Sequence, residues 1–430
     1  LNMNNTLKQQ GFSHVIGLVV VVLFLGVIGF AGWRVYSNNS SDAEASSGQL
    51  NGNGGEFNPV DPARILDTRN GLGAAKAKIP AKKSITVQIF GKGGIPASGV
   101  SAVHFNLTSA GATKPGFLTA YPSGTSLPNV SAINFKEGEV LANGISVKVG
   151  SDGKIVLYNG STEGVHAIID VMGYFSTPNG ADGLRRGVYG YRMVDTRNGI
   201  GASKRAVAAQ DEIIITPDFK KLGNTGAWGN EALEITVTAV APGSSGYATV
   251  YPSNTKRPST SILNFRQGKT IANSVIVRLG SDDKIRLYNG SNSAVHYIID
   301  VQSIFNSRGM SNSSKKGKFV AVNPYRAIDT RKGLGKNGTV IGGTTTPISI
   351  ASGAPDSRQS ALVNYTVVNP SGNGYLGSTD GQKSFINYAK GDVLANMSFH
   401  NLYGIGDNTL WFTSSNETHL IADVYGFTSE

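Results

Sequence analysis

Apolar and polar residues alternate along most of the chain after residue 57. The alternation is clear in segments 85–89 and 145–149, where Ile or Val occupies every second position. A period of two is typical of a strand with one buried face. Glycine-rich turns such as 149–154 interrupt this pattern at short intervals, and no long segment has the helical period of 3.6. The pattern predicts an all-β fold of antiparallel sandwich or jelly-roll-like modules.

The N-terminal segment 15–33 has a different pattern, because it is apolar and contains no charged residue. At about 1.5 Å per residue a helix of this length crosses the roughly 30 Å of a bilayer core. Lys8 precedes the segment, whereas residues 35–63 contain no Lys or Arg, which favours an inside N-terminus. A cleaved secretory signal is the alternative, but its apolar region is usually shorter. We therefore expect one transmembrane helix within 1–36 and most of the chain outside the cell.

A set of short motifs recurs three times in the same order, with nearly constant spacing. Each copy opens with Arg-x-x-Asp-Thr-Arg, continues with Ser-x-x-Asn-aromatic and an Ala-Asn pair, and closes on a strand from His to Asp followed by Phe. Internal repetition of this kind indicates a triplication of one structural unit. The opening arginines, the asparagines of the Ala-Asn pair and the closing aspartates are, in chain order, Arg64, Arg192 and Arg326; Asn143, Asn273 and Asn396; and Asp170, Asp300 and Asp423.

The repeats predict how the chain is divided. Segment 37–56 is polar and rich in Gly, Ser and Asn, so we expect a disordered linker there. We expect β-modules at 57–177, 188–306 and 319–430, joined by short polar linkers in a rod or a bent chain of beads.

Composition narrows the function classes. The sequence has no Cys, which excludes disulfides and thiolate chemistry. Its formal net charge is +11, but the basic residues are scattered and accompany no nucleic-acid recognition motif. The charge therefore favours an anionic surface over nucleic acid as a partner.

The Arg-x-x-Asp-Thr-Arg motif is the strongest candidate for binding chemistry. Two guanidinium groups beside a carboxylate would grip an anionic group or a sugar. The alternative, which the turn-forming residues favour, is an internal network that fixes the first loop of each module. We expect the closing aspartate, which lies in an apolar strand, to be a buried partner of a motif arginine. Besides the arginines and aspartates given above, the motif residues are Asp67 and Arg69, Asp195 and Arg197, and Asp329 and Arg331.

Two further groups of residues could form sites. The recurring His and Asp of the closing strand, such as His166 and Asp170, are four positions apart, about 13 Å along a strand, which is too far for a catalytic dyad. No third metal ligand recurs with them, so we predict no metal and no cofactor. A sugar groove would instead use amide and aromatic side chains, although Asn is also common in turns. The candidates in copy 1 are Tyr121, Asn134, Asn143, Tyr158 and Asn159.

The N-terminal segment resembles the processing site of type IV pilin-like proteins. The sequence Lys-Gln-Gln-Gly-Phe-Ser at 8–13 leads directly into the apolar segment. In that family a peptidase cuts after the glycine, which implies cleavage between Gly11 and Phe12 here. The family usually carries Glu at the fifth mature position, where this chain has Ile16.

The repeat resembles a bacterial surface module that begins with an Arg-Leu-Leu-Asp-Thr-Arg-like motif and ends near Asp-Val-x-Gly-Tyr-Phe, which here is 170–175. The resemblance implies an extracellular accessory in contact with the cell wall. Paired carboxylates at glycosidase positions do not recur, so we expect no enzyme. The chain is therefore predicted to be a membrane-anchored surface adhesin that contacts cell-wall or host glycans or neighbouring cells. A structural pilus or surface-layer subunit, in contact with other pilus subunits, is the alternative.

Overall fold

The computed structural model describes residues 55–177, 184–222, 230–306, 317–349, 358–378, 384–402 and 409–429. These residues belong to one compact unit, Ser47–Glu430. Their regular elements are strands joined by turns, as the period-two pattern requires.

Each of the three copies contributes eight strands. Copy 1 has β1 (Phe57–Asp67), β2 (Ser84–Gln88), β3 (Val100–Ala110), β4 (Gly116–Pro122), β5 (Ile133–Phe135), β6 (Leu141–Lys148), β7 (Lys154–Asn159) and β8 (His166–Ser176). Copy 2 has β9 (Leu184–Asp195), β10 (Glu212–Ile215), β11 (Asn230–Val240), β12 (Gly246–Pro252), β13 (Leu263–Phe265), β14 (Ile271–Arg278), β15 (Ile285–Asn289) and β16 (His296–Asn306). Copy 3 has β17 (Phe319–Asp329), β18 (Thr345–Ser349), β19 (Arg358–Val368), β20 (Gly374–Ser378), β21 (Ser384–Tyr388), β22 (Val393–Asn401), β23 (Thr409–Ser414) and β24 (His419–Ser429).

The strands of each copy form two four-stranded antiparallel sheets. In copy 1 the longer strands have the order β1-β8-β3-β6 and the shorter strands β2-β7-β4-β5, and we call these the long-strand and short-strand sheets. Copies 2 and 3 repeat both orders, with β9-β16-β11-β14 and β10-β15-β12-β13, then β17-β24-β19-β22 and β18-β23-β20-β21. The described chain therefore contains six four-stranded sheets.

The two sheets of a copy share a hydrophobic core, because the chain crosses from one to the other after almost every strand. In copy 1, Phe105 and Ile169 of the long-strand sheet and Leu118 and Leu157 of the short-strand sheet are fully buried in one cluster. Strand β3 is buried along nearly its whole length, on both faces. The second face of the long-strand sheet is therefore buried as well, and the other copies cover it.

The copies meet through their long-strand sheets. Strands β6, β14 and β22, one from each copy, contact one another. Nearby, four aromatic rings from the ends of the copies and Phe399 of β22 pack together, with centroid distances of 4.8 Å for Phe57–Phe305, 4.3 Å for Phe175–Phe319 and 5.6 Å for Phe319–Phe399. These five buried rings form what we call the central aromatic cluster. Aromatic burial on this scale contributes strongly to stability and joins the three copies.

The predicted fold class, three tandem sandwich or jelly-roll-like modules after one transmembrane helix, is wrong in treating the copies as separate modules. The described chain is all-β without a helix, and its six four-stranded sheets, two from each copy, belong to one unit in which the copies pack against one another. The strand order within each sheet is interleaved rather than consecutive. The chain of beads is also wrong, because a separate copy would leave the central aromatic cluster and buried polar groups exposed or unpaired.

The N-terminal predictions fall outside the described residues. The apolar segment 15–33, the processing site at Gly11 and Phe12 and most of the linker 37–56 are not among them. Within the described residues, no helix is long and apolar enough to cross a membrane.

Candidate functional sites at the copy interfaces and on the short-strand sheets

Each opening arginine lies beside the closing aspartate of its own copy. Strands β1 and β8 pair in a register that places Arg64 opposite Asp170. Nε and Nη2 of Arg64 donate to the two carboxylate oxygens at 2.7 and 3.0 Å. Asp170 is buried, so its charge depends on this bidentate partner. Burial raises the pKa of Asp170, and the hydrogen bonds and charge of Arg64 oppose that rise. The equivalent pairs are Arg192–Asp300 at 2.9 and 3.2 Å and Arg326–Asp423 at 2.8 and 3.0 Å.

The second arginine of each motif closes its own turn. Asp67 Oδ1 accepts hydrogen bonds from the backbone N–H and Nε of Arg69 at 3.1 and 2.9 Å, and Oδ2 accepts Nη2 at 2.7 Å. Gly71 completes the turn at φ +88°, a conformation that other residues rarely adopt. The side-chain hydrogen bond from Arg69 is the main cause of the lowered pKa of Asp67. The equivalent pairs are Asp195–Arg197, where the same cause lowers the pKa of Asp195 to about 2, and Asp329–Arg331.

The histidine and aspartate of the closing strand have different partners. His166 Nδ1 lies 2.9 Å from Thr68 Oγ1, which also accepts the backbone N–H of Ala167 at 3.1 Å. Asp170 is bound to Arg64 instead, so the structure does not bring His166 and Asp170 together. No cluster of three or more potential metal-ligating side chains occurs in the part of the chain that the structure describes. The equivalent pairs are Thr196–His296 and Thr330–His419.

The Arg–Asp pairs also bond to the neighbouring copy. Asp170 of copy 1 accepts the backbone N–H of Ser261 in copy 2 at 3.4 Å. Asp423 of copy 3 accepts the backbone N–H of Ser131 in copy 1 at 3.0 Å. Both serines begin the recurrent Ser-x-x-Asn signature, so this signature is the partner of the Arg–Asp motif across a copy boundary. Both carboxylates are thereby used inside the protein, in a contact that joins copies.

The asparagines of the three Ala-Asn pairs form a closed ring, which we call the asparagine ring (Asn143, Asn273 and Asn396). Each Oδ1 accepts a backbone N–H from a neighbouring copy. Asn273 accepts Gly144 N at 3.0 Å, Asn396 accepts Ser274 N at 2.9 Å, and Asn143 accepts Met397 N at 3.2 Å. Each Nδ2 donates within its own copy, to the carbonyl oxygens of Ala132, Ile262 and Phe385. The donors in the ring are the residues that directly follow the asparagines, so this hydrogen bond is repeated at all three interfaces.

A second layer of contacts lies two residues further along the same strands, and here the copies differ. The backbone N–H of Ile276 donates to His104 Nε2 at 2.9 Å, and that of Phe399 to Glu234 Oε1 at 2.9 Å. The third N–H, of Ser146, meets Met397 Sδ at 3.3 Å. Because Nε2 accepts, His104 is neutral and donates through Nδ1 to Ser146 Oγ at 3.0 Å. Burial lowers the pKa of His104 to about 3, which agrees with a neutral ring.

A small cavity lies at this centre and is lined by residues from all three copies. Its volume is about 10 Å³, and its lining includes His104, Glu234, Leu362 and Met397. That is room for about one water molecule. A cavity of this size is far below the volume that an organic ligand needs.

The residues proposed for a sugar groove are not brought together. Asn143 belongs to the asparagine ring, and Asn159 is buried, donating to the carbonyl oxygens of Ile79, Pro80 and Glu163 at 2.9, 3.1 and 2.8 Å. Asn134 contacts Ser131 and, across a copy boundary, Thr366. Tyr121 is mostly buried, whereas Tyr158 is partly exposed on the outer face of the short-strand sheet.

Sequence reasoning missed two kinds of residue. His104 and Glu234 occupy equivalent positions in different copies but are chemically unlike, so comparing the repeats could not reveal them. Phe117 lies beside Tyr158, with ring centroids 6.4 Å apart. A signal for Phe117 was present, because copies 2 and 3 also place an aromatic residue directly after a glycine, at Tyr247 and Tyr375.

Comparison with known proteins gives no close relative. No protein-family model and no curated protein matches the chain. The N-terminal CBM22-1–CBM22-2 tandem domain of Xyn10C from Paenibacillus barcinonensis aligns with 58% of this chain and 99% of its own, at 5% identity and a TM-score of 0.19. A chain of the Sulfolobus Turreted Icosahedral Virus structure aligns with 87% of this chain and 91% of its own, at 9% identity and a TM-score of 0.16. Neither similarity is close enough to assign a fold or a function.

Proposed function

We propose that this protein is a non-enzymatic surface protein whose three copies form a single head, held at the membrane by the apolar segment 15–33. The head contacts glycans, the cell wall or neighbouring cells. The observation that carries the proposal is that the recurrent motifs form contacts inside the protein. The buried closing aspartates and the asparagine ring bond within a copy or between copies, so these residues are scaffold rather than ligand site. A partner would then contact the outer faces of the sheets.

The charge of the chain supports an outward-facing role. Its formal net charge is +11, and the carboxylates of the motif are neutralised by their own arginines. A basic head is attracted to anionic surface polymers, with a strength that falls as salt rises.

The test is the location of the head in intact cells. Cells producing the full chain are treated with a membrane-impermeant amine reagent, and the labelled lysines are mapped by mass spectrometry. We expect label on exposed lysines such as Lys83 and Lys204, in the membrane fraction, and loss from that fraction when 15–33 is deleted. Lysines that become labelled only after lysis would overturn the proposal.

A structural pilus subunit is the second candidate, and the pilin-like sequence at 8–13 favours it. N-terminal sequencing of the native protein separates the two. A chain beginning at Phe12 supports pilin-type processing and filament assembly, and one that retains residues 1–11 supports a plain membrane anchor.

A further inference from the structure

Copies 1 and 2 carry a similar aromatic pair on the short-strand sheet, whose second ring is partly exposed in copy 1 (Tyr158) and buried in copy 2 (Tyr288). In copy 1, Phe117 of β4 and Tyr158 of β7 have centroids 6.4 Å apart and ring planes at 54°. In copy 2, Tyr247 of β12 and Tyr288 of β15 are 6.2 Å apart at 53°. We call these pairs platform 1 and platform 2.

A glycine makes room for the first ring of each platform. A Cβ atom on Gly160 would come within 2.2 Å of the Phe117 ring, and one on Gly290 within 2.3 Å of the Tyr247 ring. Each ring therefore lies directly against backbone on one side. Tyr247 remains 37% exposed and Phe117 is partly exposed, so apolar ring surface is offered to solvent. An aromatic ring that is held in place and still exposed is suited to stacking with a flat apolar surface.

Each platform also has one cation, and that cation has no carboxylate partner among the described residues. In platform 1, Lys82 Nζ donates to the carbonyl oxygen of Gly160, the residue beneath the Phe117 ring. In platform 2, the Arg257 guanidinium lies 3.7 Å from the Tyr288 ring centroid. Among the described residues, no carboxylate lies within ion-pair distance of Lys82 or Arg257. The nearby Glu212 is already paired with Arg286, so platform 2 keeps its positive charge.

Copy 3 has neither the glycine nor the second aromatic ring of the platforms. Ser415 donates its backbone N–H to Tyr375 O, as Gly160 does to Phe117 O and Gly290 to Tyr247 O, so it stands in the position of the glycine. Thr413 pairs with Thr345 on the neighbouring strand, as Tyr158 pairs with Ser84, so it replaces the second aromatic ring. Two copies therefore retain a feature that the fold itself does not require.

We propose that platforms 1 and 2 bind an anionic polysaccharide. The apolar face of a sugar ring stacks on Phe117 or Tyr247, and the carboxylate or phosphate of the polymer pairs with Lys82 or Arg257. Two sites on one head bind a repeating polymer more tightly than one site does, because the second contact is intramolecular. The inference rests on the proposed function, since it names the ligand that the surface-displayed head contacts.

The experiment is calorimetric titration of the purified full chain with three probes: a galacturonate hexamer, a phosphomannan oligosaccharide and neutral cellohexaose. We expect at least one anionic probe to bind at two sites per chain, more weakly at high salt, and cellohexaose not to bind. Binding of the galacturonate alone identifies a carboxylate as the anionic group, and binding of the phosphomannan alone identifies a phosphate. Absence of binding by both anionic probes overturns the inference.

Variants test the residues. Phe117→Ala should remove one of the two sites, and adding Tyr247→Ala should weaken binding by about tenfold or more. Lys82→Gln with Arg257→Gln should abolish the preference for anionic probes. Trp411→Ala is the matched control, because Trp411 is an exposed aromatic residue on the short-strand sheet of copy 3 and should leave binding unchanged.

Thermal unfolding of each variant checks that the head is intact. Wild-type affinity in the Phe117→Ala, Tyr247→Ala double variant, or an equal loss in Trp411→Ala, overturns the inference. If surface labelling places the head outside the cell but neither anionic probe binds, this inference fails and the proposed function stands.

Discussion

The asparagine ring needs amides, because each side chain has to donate and accept at the same time. Asn143 donates through Nδ2 to Ala132 O at 2.6 Å and accepts Met397 N through Oδ1 at 3.2 Å. A carboxylate could not donate, and an apolar side chain could do neither. Since all three asparagines are buried, water cannot replace either bond.

The first prediction concerns Asn143. Replacing it with Ala leaves Met397 N and Asn364 Oδ1 without this partner, so the free energy of unfolding should fall by roughly 2–6 kcal/mol, at about 1–3 kcal/mol per unsatisfied group. Thermal or denaturant unfolding measures the change. Asn70→Ala, in an exposed turn, is the control and should cost less than about 1 kcal/mol. Equal midpoints for the two variants would contradict the role of the ring.

The second prediction concerns pH. Arg197 lowers the pKa of Asp195 to about 2, below the ordinary value of 3.8. A carboxylate whose pKa is lowered by folding contributes stability above its unfolded pKa, and this is lost as pH falls through the folded pKa. The contribution of Asp195 should therefore be complete above about pH 4 and disappear towards pH 2. Asp195→Asn should lower the unfolding midpoint at pH 7 and flatten its decline between pH 4 and 2.

The matched control is Asp218→Asn, which removes an exposed carboxylate paired with Lys221 at 3.7 Å. The free energy of unfolding of this variant should lie within about 0.5 kcal/mol of the parent's. Its stability should also fall between pH 4 and 2 as steeply as that of the parent. If the stability of Asp195→Asn falls between pH 4 and 2 as steeply as that of the parent, other carboxylates cause the loss of stability in acid.

At the scale of elements, the strands that meet at the centre approach unusually closely. A Cβ atom on Gly144 of β6 would come within 2.0 Å of Ser274 O on β14. Because the obstacle is backbone, it cannot rotate away as a side chain could. Gly144 is therefore required by the packing of two strands from different copies and not by a turn.

The third prediction follows from this approach. Gly144→Ala should push β6 from β14 and lower the free energy of unfolding by about 1–3 kcal/mol, the usual effect of overpacking. Gly243→Ala is the control, because its nearest neighbour is the side chain of Ser293 at 3.3 Å, which can move. Differential scanning calorimetry compares the two. A smaller loss for Gly144→Ala than for Gly243→Ala would show that the β6–β14 approach is not a constraint.

The same elements show what the sequence could and could not predict. Alternation at 85–89 and 145–149 identifies two real strands, β2 and β6, because successive side chains of a strand point to opposite faces. Strand β3 is different: His104 and Asn106 occupy what a single copy would treat as a solvent face. Their partners lie more than 150 residues away in another copy. Local pattern carries no information about such contacts, so the joining of the copies was missed.

At the scale of the whole molecule, two layers of contacts have different consequences. The asparagine ring repeats one hydrogen bond, from a backbone N–H to an asparagine Oδ1, at each interface, so this bond by itself does not distinguish the copies. The second layer uses His104, Glu234 and Met397, which are not interchangeable. A neutral imidazole, a carboxylate and a thioether each suit one neighbour. We infer that divergence at these positions fixes which copy packs beside which, and so opposes pairing with copies from another chain.

The fourth prediction is that the head unfolds as one unit. Copies that were independent would melt separately, as expected of modules in which each has its own complete core. Here Phe57 and Phe175 of copy 1 pack against rings from copies 2 and 3. The polar groups of β3 and β6 also bond across the boundaries, so losing one copy leaves buried groups of the others without partners. Calorimetry of the full chain should show a single transition for the head.

A fragment of residues 57–177 sharpens this test. It would expose Phe57 and Phe175 to water and leave Asn143 Oδ1 and His104 Nε2 without the backbone N–H donors that the other copies supply. Loss of this apolar burial and of these hydrogen bonds should leave the fragment without a cooperative transition, or with a midpoint far below that of the full chain. Three resolved transitions in the full chain, together with a fragment of equal midpoint, would mean that each copy folds by itself. The contacts between copies would then contribute little to stability, and the non-equivalent second layer would have no role in ordering the copies.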